Sequence, residues 1–237
     1  ESTQPEIKRS IEHTLRRFEE DTPPCPGFRK IILTNPHRPD SADFRYQVLL
    51  DGSPTIESEA LSLPNNQSDA LLITLDCLKI KSACQIFDML LNANLEVPRF
   101  QINLCTAATM HHEFLDFLLS AISDSGIGTD RLLFELRDSL RLRESPISRD
   151  FSQALRSIGC LISVSNITLS RGSTAELQAL HPHNLVLDRD LLDKDVREDQ
   201  LSTMQQAITE LHHMINENVA LRGDIDMNKA IALGIDV

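Results

Sequence analysis

Apolar positions Ile7, Ile11, Leu15 and Phe18 recur at helical spacing among Lys, Arg and Glu. The pattern stops at Asp21-Thr22-Pro23-Pro24, because two successive prolines cannot continue a helix. Residues 1–22 therefore read as an amphipathic helix, either a connector from an upstream domain or the first helix of the unit spanning 23–237. Residues 28–33 and 44–50 read as strands separated by a stretch rich in turn formers, Asn35 to Asp40. A long segment at 71–92 is apolar at three-to-four spacing, as a helix requires, and 100–104 alternates as a strand should.

From there helix and strand take turns. Helices are expected at 111–122, 150–158, 175–180 and 198–211, with strands at 132–136, 161–164, 185–187 and, weakly, 214–221. Short apolar strands alternating with helices imply parallel βαβ units, and at this length a closed (β/α) barrel leads over an open doubly wound sheet. In such barrels chemistry sits at the C-terminal ends of the strands.

Composition narrows the function classes. At 237 residues and 41% apolar content the chain can bury one sizeable core. No run approaches the roughly 18 apolar residues of a membrane span, and the first residues lack a signal pattern. A net charge of −12 argues against a surface that tracks a phosphate backbone, so no nucleic-acid partner is expected. Cys25, Cys77, Cys84, Cys105 and Cys160 are scattered and odd in number, which fits buried thiols of a cytoplasmic protein. His111-His112, His181-Pro182-His183 and His212-His213 lack the i, i+4 spacing of helical metal ligands. No Gly-rich phosphate loop or serine triad spacing is present, and the acidic run from Asp188 to Asp199 reads as a solvated loop and helix start.

The strand ends carry the polar candidates Asn103, Glu135, Ser165, Asn166 and Asp188. Ile102-Asn103-Leu104-Cys105 resembles the Asn-Leu-Ser stretch of the EAL family of cyclic-di-GMP phosphodiesterases. Phe134-Glu135-Leu136-Arg137-Asp138 resembles its Leu-Glu-Ile-Thr-Glu stretch. Residues 159–180 keep the spacing of the Asp-Asp-Phe-Gly segment, Asp188-Arg189-Asp190 is similar to the Lys-x-Asp segment, and Leu233-Gly234-Ile235-Asp236 resembles the Leu-Gly-x-Asp segment. The resemblance runs from about residue 28 to the end. It implies an α/β fold, a (β/α) barrel of EAL type, which is a modified TIM-like barrel.

The departures from the family pattern concern its chemistry. The resemblance implies two divalent cations held by several anionic oxygens, together with a general base. Here the Asp-Asp pair is Ser165-Asn166, the lysine two residues before Asp188 is Val186, and counting back from Gly234 puts the Glu-Gly-Val-Glu segment at Val219-Ala220-Leu221-Arg222. Only Asn103 and Glu135 of the metal-binding set remain. Two registers fit the namesake motif. One takes the literal Glu59-Ala60-Leu61 and leaves residues 28–33 as a surplus strand, with too few residues between Leu61 and the helix at 71–92. The other, preferred, treats 28–33 and 46–50 as the first two strands, so that the motif becomes Gln47-Val48-Leu49.

The expectation is a degenerate domain that is not an enzyme, with no catalytic residues, no metal and no cofactor. It would serve as a protein-interaction module in bacterial cyclic-di-GMP signalling, coupled through its first helix to an upstream domain or to a second copy in a homodimer. The alternative is a non-hydrolysing cyclic-di-GMP receptor using Arg137, Arg141 and Arg171, and the remote alternative an active phosphodiesterase. With one Tyr and nine Phe the chain offers few platforms on which guanine could stack, which weighs against the receptor.

Overall fold

The computed structural model describes residues 26–35, 38–50, 65–137, 142, 144–167, 177–188, 209 and 219–222. The segments 1–22 and 198–211 lie outside the described residues, apart from Thr209, which is helical. Strand β1 (Pro26–Asn35) runs antiparallel to β2 (Arg38–Leu50), and their pairing shifts register between Leu33 and Asn35 before closing at Asn35 and Arg38. Pairing thus extends through most of the turn-rich stretch and leaves only residues 36–37 between the strands. Residues 28–33 are a paired strand of the sheet.

Parallel strands follow, each laid beside the last: β3 (Arg99–Leu104), β4 (Leu132–Arg137), β5 (Leu161–Ser165), β6 (Asn184–Asp188) and β7 (Val219–Arg222). The crossovers carry α1 (Asn65–Asn92), the short α2 (Thr106–Thr109) with α3 (His112–Ser125), and α4 (Pro146–Ser157). Helix α1 starts six residues before the apolar periodicity does, and helix α4 starts four residues before its expected first residue. At α4, Pro146 occupies the first turn and the Ser145 hydroxyl accepts from the Ser148 amide at 3.3 Å. Its buried face includes Ser148 and Ser152 beside Phe151 and Leu155, so the apolar periodicity understates the helix.

The two faces of the parallel strands differ in character. Phe100, Ile102, Leu104, Phe134, Leu136, Ile162 and Val164 are buried in one apolar core with Ile73, Cys77, Ile80, Phe114, Leu118 and Phe151 of the helices. The alternate residues, Gln101, Glu135, Ser163 and Ser165, are buried too, but polar, and they share the other face. That face curves on itself. The Arg45 guanidinium on β2 lies 3.0 Å from the side-chain amide of Asn184 on β6, which accepts from both terminal nitrogens when its oxygen faces them. Four strand spacings in a flat sheet would separate them by about 19 Å. The sheet is therefore rolled as a barrel wall is, with a polar interior.

Beside β3, α1 buries an ion pair. Lys79 Nζ donates to Asp76 Oδ1 at 3.0 Å and to the Asn103 carbonyl at 3.3 Å, while Asp76 Oδ2 accepts from the Cys105 amide at 2.7 Å. The pair thus holds the C-terminal end of β3 on both sides of Leu104. Burial pushes the Asp76 carboxyl up, against the pull of Lys79 and of the Cys105 amide. The pair's net stabilisation is accordingly small, whereas removing one partner leaves a bare buried charge. Lys79→Met is expected to cost about 3–5 kcal/mol in urea unfolding. Adding Asp76→Asn, whose amide oxygen still accepts from Cys105, should recover most of that loss, and no recovery would show that the charge is not the cause.

At the β5–β6 junction, His183 donates its backbone amide to the Ile162 carbonyl at 2.7 Å and accepts the Ile162 amide on Nδ1 at 3.0 Å. Burial, and then the positive charge of Arg156, push the His183 imidazole down from its ordinary value of 6.5. The folded chain binds this proton less readily than the unfolded chain, so stability is complete above that value and is lost as pH falls through it. Urea midpoints taken from about pH 8 down to about pH 5 should fall at the acid end. His183→Asn, whose amide oxygen replaces the Nδ1 acceptor without titrating, should flatten this part of the profile.

Candidate functional site

The polar face is ordered by strand register. In parallel strands, residues in register point the same way, so each row across the sheet forms one layer of the interior. One row joins Gln47 to Gln101 and continues to Leu133 and Leu161. The next joins Asn103, Glu135, Ser163 and Asn184. Above it, nearer the strand ends, Arg137, Ser165, Val186 and Ala220 are in register, and Asp188 is opposite Arg222.

Glu135 is the carboxylate at the centre of this arrangement and is only 2% exposed. The Gln101 side-chain amide, one row below on the neighbouring strand, donates to Glu135 Oε2 at 2.5 Å and stands 3.5 Å from Asn103 Oδ1. A buried carboxylate needs donors, and here an uncharged protein amide supplies one. Ser163, in register between Glu135 and Asn184, is buried and its hydroxyl makes no hydrogen bond among the described residues. At the end of β3 the Cys105 sulfur accepts from the Ala108 amide at 3.4 Å and caps α2, and burial pushes its thiol well up. That thiol stays protonated at neutral pH.

Several of the residues singled out in the sequence meet here. Gln47, Asn103, Glu135, Ser165 and Val186 stand in consecutive rows. Ser165 is buried at the end of β5, and Asn166 follows it, exposed, in a left-handed conformation with φ of 60°. Asp188 closes β6. Val219 does not belong with them: it opens β7 opposite Leu185, and the residue closing that strand, in register with Asp188, is Arg222. Arg137 is exposed at the end of β4, while Arg141, Arg171 and Glu59-Ala60-Leu61 lie outside the described residues.

Gln101, Arg45 and Asn184 went unnoticed in the sequence. The signal available was polar residues at every second position within buried strands, as in Gln101-Ile102-Asn103 and Ser163-Val164-Ser165. A pair of hard divalent cations needs several anionic oxygens converging from neighbouring strands. The residues around Glu135 are an amide-bearing Asn103, a serine and an asparagine in its own row, then Ser165 and Val186 above. This donor set does not fit two such cations. Among the described residues, no three His, Cys, Asp or Glu side chains cluster as metal ligands would.

Comparison with known proteins accords with this architecture. The chain superposes on a structure described as PaMucR phosphodiesterase in complex with c-di-GMP, with a TM-score of 0.68 and 15% identity over 95% of this chain and 92% of that one. A FimX EAL domain gives a TM-score of 0.70 at 14% identity over 95% and 91% of the two chains. The FimX EAL domain of Xanthomonas citri in complex with c-diGMP gives 0.67 at 14% over 97% and 90%. At such identities these likenesses establish the fold, that of the EAL TIM-like barrels. No curated protein sequence matches significantly. The EAL domain family model matches residues 51–223, a span that contains Glu59 and begins after Gln47. Covering well over half of the chain, that match makes it a member of the EAL-domain family.

Proposed function

We propose that this chain is a catalytically inactive EAL domain that acts in cyclic-di-GMP signalling by binding a protein partner. The observation that carries this reading is the state of Glu135, whose carboxylate is hydrogen-bonded by the Gln101 amide and whose neighbouring rows offer Asn103, Ser163, Ser165 and Val186. Hydrolysis of a phosphodiester at such a centre needs metal-activated water and charge neutralisation at the phosphate oxygens. A serine and a valine offer no carboxylate or amine with which to hold a metal or move a proton. The barrel itself is retained, and a retained barrel with an inert interior still presents a rigid surface.

A second reading, a non-hydrolysing cyclic-di-GMP receptor, is favoured by the exposed Arg137 at the end of β4. It lies at the C-terminal end of a parallel strand, and a guanidinium group suits phosphate oxygens.

One pair of assays separates the readings. Incubation with cyclic-di-GMP in Mg²⁺ or Mn²⁺, followed by chromatography, is expected to return the dinucleotide intact, and metal-dependent linearisation would overturn the proposal. Calorimetric titration in Mg²⁺ and again in EDTA is expected to give no heat. Saturable binding that persists in EDTA would instead establish the receptor, and Arg137→Ala should then weaken it about tenfold, the loss of one charge-assisted contact.

A further inference from the structure

Gln101 stands where two oxygens of the interior converge. Its side-chain nitrogen donates to Glu135 Oε2 at 2.5 Å and stands 3.5 Å from Asn103 Oδ1. Gln101 and Asn103 are two residues apart on β3, so their side chains leave the same face of the sheet, one above the other. Asn103 and Glu135 are in register on β3 and β4, about 5 Å apart across the sheet. The Gln101 amide therefore reaches up from the row below and lies against both. Its nitrogen carries two N–H groups and can serve two acceptor oxygens at once.

A third oxygen adjoins them. Ser163 is in register with Glu135 on the next strand, is 1% exposed, and its hydroxyl makes no hydrogen bond among the described residues. Carboxylate, amide oxygen and hydroxyl are the oxygen types that hard cations take. A single Mg²⁺ is commonly held by one or two carboxylates while it keeps several waters. The row thus falls short for two cations, but its oxygens suffice for one. What stands against one is Gln101. An uncharged amide fills the place between the oxygens and engages, by hydrogen bonds, the lone pairs that a cation would need.

We infer that Gln101 is an internal plug: its amide takes the oxygens of Glu135 and Asn103, and this one side chain closes the row to a divalent cation. The inference rests on the reading of the interior as inert and names the residue that keeps it so. Gln101 acts here as a positioning residue, through the two side chains it holds.

The test is titration of the full chain with Mn²⁺, followed by the electron paramagnetic resonance signal of the unbound ion. Gln101→Ala is expected to gain one Mn²⁺ per chain, bound at least about tenfold more tightly than any ion on the acidic surface of the wild type. Gln101→Ala/Glu135→Gln should lose that ion again, which a purely structural role for Gln101 would not predict. Gln101→Glu keeps the length of the side chain and sets a second carboxylate beside the first, so Mn²⁺ should raise its urea midpoint by more than it raises that of the wild type. A Gln101→Ala chain that is folded by circular dichroism yet gains no ion would overturn the inference. If that variant does not fold, Gln101→Glu decides, and a midpoint no more responsive to Mn²⁺ than that of the wild type overturns it. A wild-type Mn²⁺ site that disappears in Glu135→Gln would overturn it as well. None of these results bears on whether the wild type cleaves cyclic-di-GMP, which the incubation assay decides separately.

Discussion

The interior of the rolled sheet has to satisfy its own polar groups. Strand alternation sends every second residue of β3, β4 and β5 inward, and in this chain those residues include, besides Leu133 and Leu161, the polar Gln101, Asn103, Glu135, Ser163 and Ser165. Buried where water is scarce, each polar atom costs free energy unless it finds a partner. Glu135 and Gln101 meet across β3 and β4, and Arg45 crosses the interior to Asn184. The curvature of the sheet, the register of its strands and the hydrogen bonding of Glu135 are thus parts of the same arrangement. A slip of one residue in any of these strands would turn its polar set toward the helices and its Phe and Ile residues inward.

The strand ends are held from outside by a different device. Asp76 and Lys79 project from α1 and take the Cys105 amide and the Asn103 carbonyl, fixing the point where β3 gives way to α2. Burial opposes the charge on Asp76 while Lys79 and the Cys105 amide favour it, and a pair balanced this way contributes position more than stability. It sets the height of Asn103 beside Glu135, on which the geometry of the interior depends.

Much of this was legible in the sequence, for physical reasons. Strands β1 to β6 and helices α1, α3 and α4 announce themselves by period, since apolar residues at every second or every third to fourth position have few other structures open to them. The start of α4 was hidden because Ser148 and Ser152 pack inward without adding to the apolar pattern. Val219 is placed by its pairing with Leu185, a register set by hydrogen bonds between strands that leaves no mark on the sequence of either. Gln101 and Arg45 escaped notice because their partners lie on other strands. Polar alternation within a buried strand was the available clue, and it names no partner.

The same strands therefore carry two separable kinds of information. The helix-side residues, Ile102, Phe134, Leu136, Ile162 and Val164 among them, bury the apolar surface that makes the barrel. The interior residues determine what the barrel can do, and they can change to serine, valine or amide without loss of the fold so long as their hydrogen bonds close. A likeness at 15% identity and a TM-score of 0.68 reports on the first set. It transmits nothing about the second. Membership of the EAL family fixes the scaffold on which Glu135 sits, and the chemistry open to Glu135 follows from Gln101, Ser163 and Ser165 around it.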